Sequence, residues 1–189
     1  MAHRIEVTFK PEARDALGQS ICERIRSDLK INVDSVRAVE IYTIEGNLNS
    51  DDAEFLAREL FSDPINQTFS ASESLLSEMP WDWSIEVGFK PGVMDAVGLT
   101  AADEIRDLID KEVEAFSSRS YLLSGNLSQS DIEQIAQGLL ANDLIERYEI
   151  YKRDSWDGNV RVSAPQVHLD HEPATQIINL DVSDEELVK

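Results

Sequence analysis

The sequence predicts an α+β protein made of two tandem βαβαβ repeats, and three observations carry that prediction. Ile5-Glu6-Val7-Thr8-Phe9-Lys10-Pro11 recurs as Ile85-Glu86-Val87-Gly88-Phe89-Lys90-Pro91, displaced by 80 residues. Asp15 and Gly18 recur as Asp95 and Gly98 at the same displacement, while Gly46-Asn47-Leu48 matches Gly125-Asn126-Leu127 at 79. Each copy also runs through the same succession of strand-like and helix-like patterns. A spacing held over so long a stretch is the mark of internal duplication.

The elements follow in order from periodicity. Ile5, Val7 and Phe9 alternate with Arg4, Glu6 and Thr8, the pattern of a half-buried strand, and Ile85, Val87 and Phe89 repeat it. Proline then ends the ladder, because it has no backbone donor. A helix follows with Ile21, Cys22, Ile25 and Leu29 on one face, matched by Ala101, Ala102, Ile105 and Ile109. A second strand, Val39 to Ile44, is matched by Arg119 to Leu123 and closed by the Gly-Asn turn. Asp51 with Glu54, and Ser130 with Glu133, stand in capping-box spacing and predict the start of a second helix. Its apolar stripe is Ala53, Leu56, Ala57, Leu60 and Phe61, returning as Ile132, Ile135, Ala136, Leu139 and Leu140. Closing strands are expected over Ile65 to Ala71 and Ile145 to Tyr151.

Two helices cover one face of so small a sheet and leave the other bare, so the two copies are expected to pair as a pseudo-dimer. The sheets would face each other or join edge to edge about an approximate two-fold axis. The architecture has ferredoxin-like character, with helices packed on antiparallel sheets. The first repeat spans residues 3–71, a linker 72–82, the second repeat 83–152, and an extended tail 153–189. Within the tail, Val160, Val162 and the segment from Val167 to Leu169 are candidates for an edge strand. Ser183-Asp184-Glu185-Glu186 reads as a helix start with no helix behind it, which predicts a chain that continues beyond Lys189.

Composition narrows the function classes. Seventeen basic residues against 37 acidic ones give a formal net charge of −20. A surface of that sign repels phosphate backbones, so nucleic acid is not an expected partner. No apolar run approaches the roughly 20 residues that span a bilayer. The N-terminus enters a strand directly rather than a signal-peptide core. A single cysteine, Cys22, permits no internal disulfide, and the cytoplasm is the expected compartment.

Few residues invite a chemical reading. His168-Leu169-Asp170-His171-Glu172 has metal-ligand residue types, but Pro165 and Pro173 bracket it and a strand would separate the two rings. A solvated tail is the simpler reading. Cys22 lies on an apolar stripe and reads as a structural thiol rather than a nucleophile. Trp81, Trp83 and Trp156 fall at joints between units and read as packing anchors, with ligand stacking as the alternative. Asp51 reads as a helix cap. Lys10 and Lys90 read as strand-end lysines, the alternative being an anion site near the repeat interface. No phosphate-binding loop, dinucleotide fingerprint, paired-cysteine motif or nucleophile elbow is present. No catalytic, cofactor-binding or metal-binding residue is assigned.

Phe89-Lys90-Pro91-Gly92-Val93-Met94-Asp95-Ala96-Val97-Gly98, followed by Leu139-Leu140-Ala141-Asn142-Asp143-Leu144-Ile145-Glu146-Arg147-Tyr148-Glu149-Ile150, resembles the small subunit of phosphoribosylformylglycinamidine synthase. That family shows a K-P-G-V-x-D-P-x-G segment and an L-L-x-N-P-V-I-E-x-Y-E ending. Ala96 replaces the family proline, and in the first copy Glu12 stands for the glycine while Ser62-Asp63-Pro64-Ile65 shortens the ending. The resemblance covers roughly residues 3–152. The segment from Ile178 to Leu187 is similar to the one that opens the large synthetase subunit of that enzyme.

The resemblance implies the N-terminal part of a fused C–N ligase of purine synthesis. The whole enzyme would use ATP, magnesium and glutamine-derived ammonia to convert formylglycinamide ribonucleotide to its amidine. The small-subunit-like region would hold glutaminase and synthetase together for ammonia transfer, without catalysis of its own, and homo-oligomers are possible. Trp156, Tyr148 and Tyr151 are the candidate aromatic anchors for those partners. The competing reading is a regulatory module that binds a small molecule between paired α+β units; a free-standing enzyme is the third.

Overall fold

A computed structural model describes residues 2–160, 162 and 165. The first repeat contributes β1 (Ala2–Phe9), α1 (Ala16–Arg24), β2 (Ser35–Gly46), α2 (Ser50–Leu56) and β3 (Gln67–Ser70). The second contributes β4 (Trp83–Phe89), α3 (Ala96–Ile109), β5 (Val113–Ser124), α4 (Gln129–Ile135) and β6 (Glu146–Lys152). Three helices end in a wider π-helical turn: Ile25–Leu29 after α1, Ala57–Phe61 after α2 and Ala136–Leu140 after α4. The α+β class and the order strand, helix, strand, helix, strand in each copy are as the periodicity predicts.

The two repeats join edge to edge. One antiparallel sheet of six strands runs β3-β1-β2-β5-β4-β6, with β2 paired to β5 from Ser35↔Ser124 to Gly46↔Val113. The register reveals the symmetry. Glu40 pairs with Arg119, and Arg119 is the residue equivalent to Glu40 at the displacement of 79, so the pseudo-two-fold passes through this pair. In a dimer of identical copies that position would face itself with like charge. Divergence after duplication has placed opposite charges there, with Arg119 Nη2 2.7 Å from Glu40 Oε1. Both side chains are about two-fifths exposed, at 38% and 40%, so solvent weakens the pair. Arg119→Glu is expected to cost about 0.2–1 kcal/mol in denaturant unfolding, and adding Glu40→Arg should restore it. Equal stability of the single and double variants would show that the axis pair contributes nothing.

The helices lie on one sheet face, but each packs across the repeat boundary. Ile21, Cys22 and Ile25 of the first helix meet Ile132 and Ile135 of α4 over Ile85, Val87, Tyr121 and Leu123. Ala101 and Ile105 of α3 meet Leu56 and Ala57 over Ile5, Val7 and Ile44. Neither core belongs to one repeat.

The caps sit two residues earlier than the sequence spacing suggests. Asn49 accepts from the Asp52 amide and Asp52 returns a bond to the Asn49 amide; Ser128 and Asp131 do the same at a displacement of 79. Asp51 therefore lies in the first turn rather than at the cap. The Asn49 amide and the Lys111 ammonium hold the Asp52 carboxyl below its ordinary value, and Ser128 does so for Asp131. Ile65 is also displaced from its expected strand: it is 78% exposed in the turn before β3. Val160 and Val162 form no strand. Val167–Leu169, the His168–Glu172 cluster and Ser183–Glu186 lie outside the described residues.

Candidate functional site

The repeated Asp and Gly of each copy have a structural task. Asp15 caps α1 through the Gly18 amide and also accepts from the Ala38 amide in β2. Asp95 does the same with the Gly98 amide and with Ser117. Each carboxylate so ties a helix start to the following strand. The glycine is needed because the backbones nearly touch: a Cβ on Gly98 would lie 2.2 Å from Ala115 O, and one on Gly18 2.4 Å from Val36 O. Lys10 Nζ donates to the carbonyls of Pro64 and Ile65, at 2.7 and 3.0 Å, and Lys90 Nζ donates to Asp143 O. Both lysines latch the loop ahead of the closing strand and stand away from the β2–β5 seam.

The second face of the sheet is where sequence and structure part most. Arg4, Glu6 and Thr8 alternate with the apolar residues of β1 and read as solvent-facing, yet all three are buried. Across this face Arg4 of β1 reaches Glu86 of β4 over the two central strands. Arg4 Nε lies 2.6 Å from Glu6 Oε1, and its Nη1 and Nη2 reach both oxygens of Glu86 at 3.2 and 2.9 Å. Glu6 and Glu86 are equivalent residues, so two symmetry-related carboxylates share one guanidinium. Burial pulls the Arg4 pKa down, but the charges and hydrogen bonds of Glu86 and Glu6 outweigh it, and the net shift is upward.

The linker closes the centre of this face. Ser74 Oγ and the Leu75 amide donate to Glu6, placing Leu75 and Leu76 on Val39, Ile41 and Leu122. Trp81 joins them and donates from Nε1 to Leu76 O; Trp83 sits in the other layer and donates to Leu127 O. Both are packing anchors. Trp156 meets Trp81 edge-on at 5.5 Å, and the Arg153 guanidinium lies 5.0 Å from the Trp81 ring centre. Tyr151 donates to Glu149, and burial together with that carboxylate pushes its hydroxyl pKa upward. Tyr148 accepts from Gln137. All three candidate aromatic anchors are half-buried and take part in packing. Cys22 is buried in the α1–α4 core, which agrees with a structural thiol.

Beyond the linker, the same face holds a cavity of about 200 Å³ in the second repeat. Its walls include Thr43, Glu86, Gly88, Phe116, Ser118, Arg147 and Glu149, with the turn from Lys90 to Asp95 at its mouth. Arg147 Nη1 lies 3.1 Å from Glu149 Oε1. Nothing in the sequence patterns marks these residues as a group; the signal is in how the two copies differ, since Gly88 replaces Thr8 and Phe116 replaces Arg37. Beside the mouth, Met94 and Leu144 are 76% and 80% exposed.

No family model matches this chain, and neither does any curated protein. Among the described residues, no group of three or more His, Cys, Asp or Glu side chains is placed to hold a metal ion, and no helix is long and apolar enough to cross a membrane. The arrangement offers hydrogen-bonding and ionic contacts in a small cavity and apolar contacts at its rim. In the cavity wall Ser118 Oγ donates to Glu86 and Ser117 Oγ donates to Asp95.

Proposed function

We propose that this chain is the non-catalytic assembly region of a phosphoribosylformylglycinamidine synthase, holding glutaminase and synthetase together for ammonia transfer in the cytoplasm. The observation that carries the reading is the fused pseudo-dimer: two copies completing one sheet through β2 and β5, with opposite charges on the axis. A region that mimics a dimer of small subunits within one chain needs this geometry. ATP and magnesium belong, on this reading, to the synthetase and not to the present residues.

Partner contact falls to surfaces not already spent on packing. Met94 and Leu144 project from neighbouring turns, which the Lys90–Asp143 latch and the Lys90 amide bond to Ile145 O hold together. The first copy has Arg14 and Ile65 at the equivalent places, so only the second copy is apolar at both turns. Central apolar anchors inside a charged rim give affinity from the anchors and speed from the charges. The test titrates the full chain against the matching glutaminase and synthetase, with formylglycinamide ribonucleotide and nucleotide present. Binding at micromolar concentration or below is expected to weaken about tenfold or more in Met94→Asp combined with Leu144→Asp. Failure to bind either partner would replace the assembly reading with the small-molecule module.

A further inference from the structure

The cavity on the second repeat has no use in an assembly role, and its origin is specific. In the first copy Thr8 is buried and donates to Ala38 O, while Arg37 Nη1 donates to Phe9 O. At the equivalent places the second copy has Gly88 and Phe116, which make neither bond. The strand facing that space has changed in step. β3 presents Thr68 and Ser70, whereas β6 presents Arg147 and Glu149 at the equivalent register positions. A charged pair thus lines the space in the second copy where the first copy offers two hydroxyls.

We infer that this cavity binds a small carboxylate with an apolar body, and that an α-amino acid with a bulky side chain is the form that uses all of its polar groups. The ion pair to Glu149 engages Arg147 through Nη1, leaving Nε and Nη2 to take a carboxylate in the two-pronged way that guanidinium favours. Lys90 at the mouth is bonded to a backbone carbonyl rather than to a carboxylate, so it adds positive charge that the ligand would offset. Glu86 shares Arg4 with Glu6 and accepts from Ser118, so part of its charge is offset before a ligand enters. Glu149, two residues from Arg147 on the same strand face, already accepts from Arg147 and Tyr151 and would share its charge with the ammonium of an amino acid. Phe116, Val93 and Met94 supply the apolar walls. The volume, about 200 Å³, falls below the roughly 300–1,000 Å³ of sites for drug-sized ligands, so a nucleotide does not fit.

The inference does not rest on the assembly reading, because it concerns the chain alone and its test needs no partner. The full chain is titrated calorimetrically with L-phenylalanine, 3-phenylpropionate and phenethylamine, and its melting temperature is followed with each. Both carboxylates are expected to bind and raise the melting temperature, phenylalanine more tightly, and phenethylamine is expected not to bind. Arg147→Thr, which restores the first copy's residue, should weaken both carboxylates about tenfold or more. Glu149→Gln keeps an acceptor for Tyr151 and should weaken phenylalanine while leaving 3-phenylpropionate unchanged. The inference is overturned if neither carboxylate binds at millimolar concentration, if phenethylamine binds as well as they do, or if Arg147→Thr binds them undiminished.

Discussion

Arg4→Met is expected to destabilise the protein by about 3–5 kcal/mol, the usual cost of breaking a buried ion pair from one side. The side chains of Arg4 and Glu6 are 5% and 2% exposed, and that of Glu86 is 16% exposed, so water cannot replace the lost guanidinium. Methionine preserves much of the volume and removes the charge, leaving two carboxylates on the same sheet face without their shared guanidinium. Glu6→Gln together with Glu86→Gln in the Arg4→Met background should recover most of the loss at neutral pH. Glutamine at position 6 still offers an acceptor to Ser74 and to the Leu75 amide, so the linker stays attached. Urea unfolding of the three chains decides the matter. A deficit that persists unchanged in the triple variant would assign the effect to packing around Arg4 instead.

The same network marks the limit of what periodicity can read. Alternation of Ile5, Val7 and Phe9 with polar residues correctly placed the apolar set against helices, and it placed Arg4, Glu6 and Thr8 on the opposite face. Alternation says nothing about whether that opposite face is covered. Here eleven linker residues, 72–82, carry Leu75, Leu76 and Trp81 back across it. The helix stripes were legible because both copies show them, and the duplication made each weak pattern stronger. The caps were misplaced because Asn49-x-x-Asp52 and Ser128-x-x-Asp131 close with aspartate, while a glutamate two residues on completed a more familiar spacing. The cavity was illegible for the opposite reason. It arises where the copies disagree, and a search for repeats attends to where they agree.

Cross-packing of the helices yields the largest expected effect, which is that neither repeat folds alone. Residues 1–82 and 83–189, prepared separately, are each expected to show no cooperative thermal unfolding, and their mixture is expected to regain it. Ile21, Ile25, Ile31, Val33 and Val36 all bury in a core that the second repeat completes with Trp83, Ile85, Val87, Tyr121, Leu123 and Ile132. Burial of an aliphatic side chain contributes about 1.5–3 kcal/mol, so losing even half of that burial at five positions removes roughly 4–8 kcal/mol. Whole domains are stable by only about 5–15 kcal/mol. The first fragment also loses Ala101, Ile105 and Ala115 from its other core, and both fragments expose twelve-residue strand edges at β2 or β5. Self-association is the obvious escape for such edges. It would set Glu40 against Glu40 in one homodimer and Arg119 against Arg119 in the other, whereas the mixed pair restores attraction. Mixing should therefore favour the heterodimer, visible by native mass spectrometry as the dominant species. A monomeric 1–82 fragment that melts cooperatively would show that the shared cores are dispensable and that each repeat is a domain in its own right.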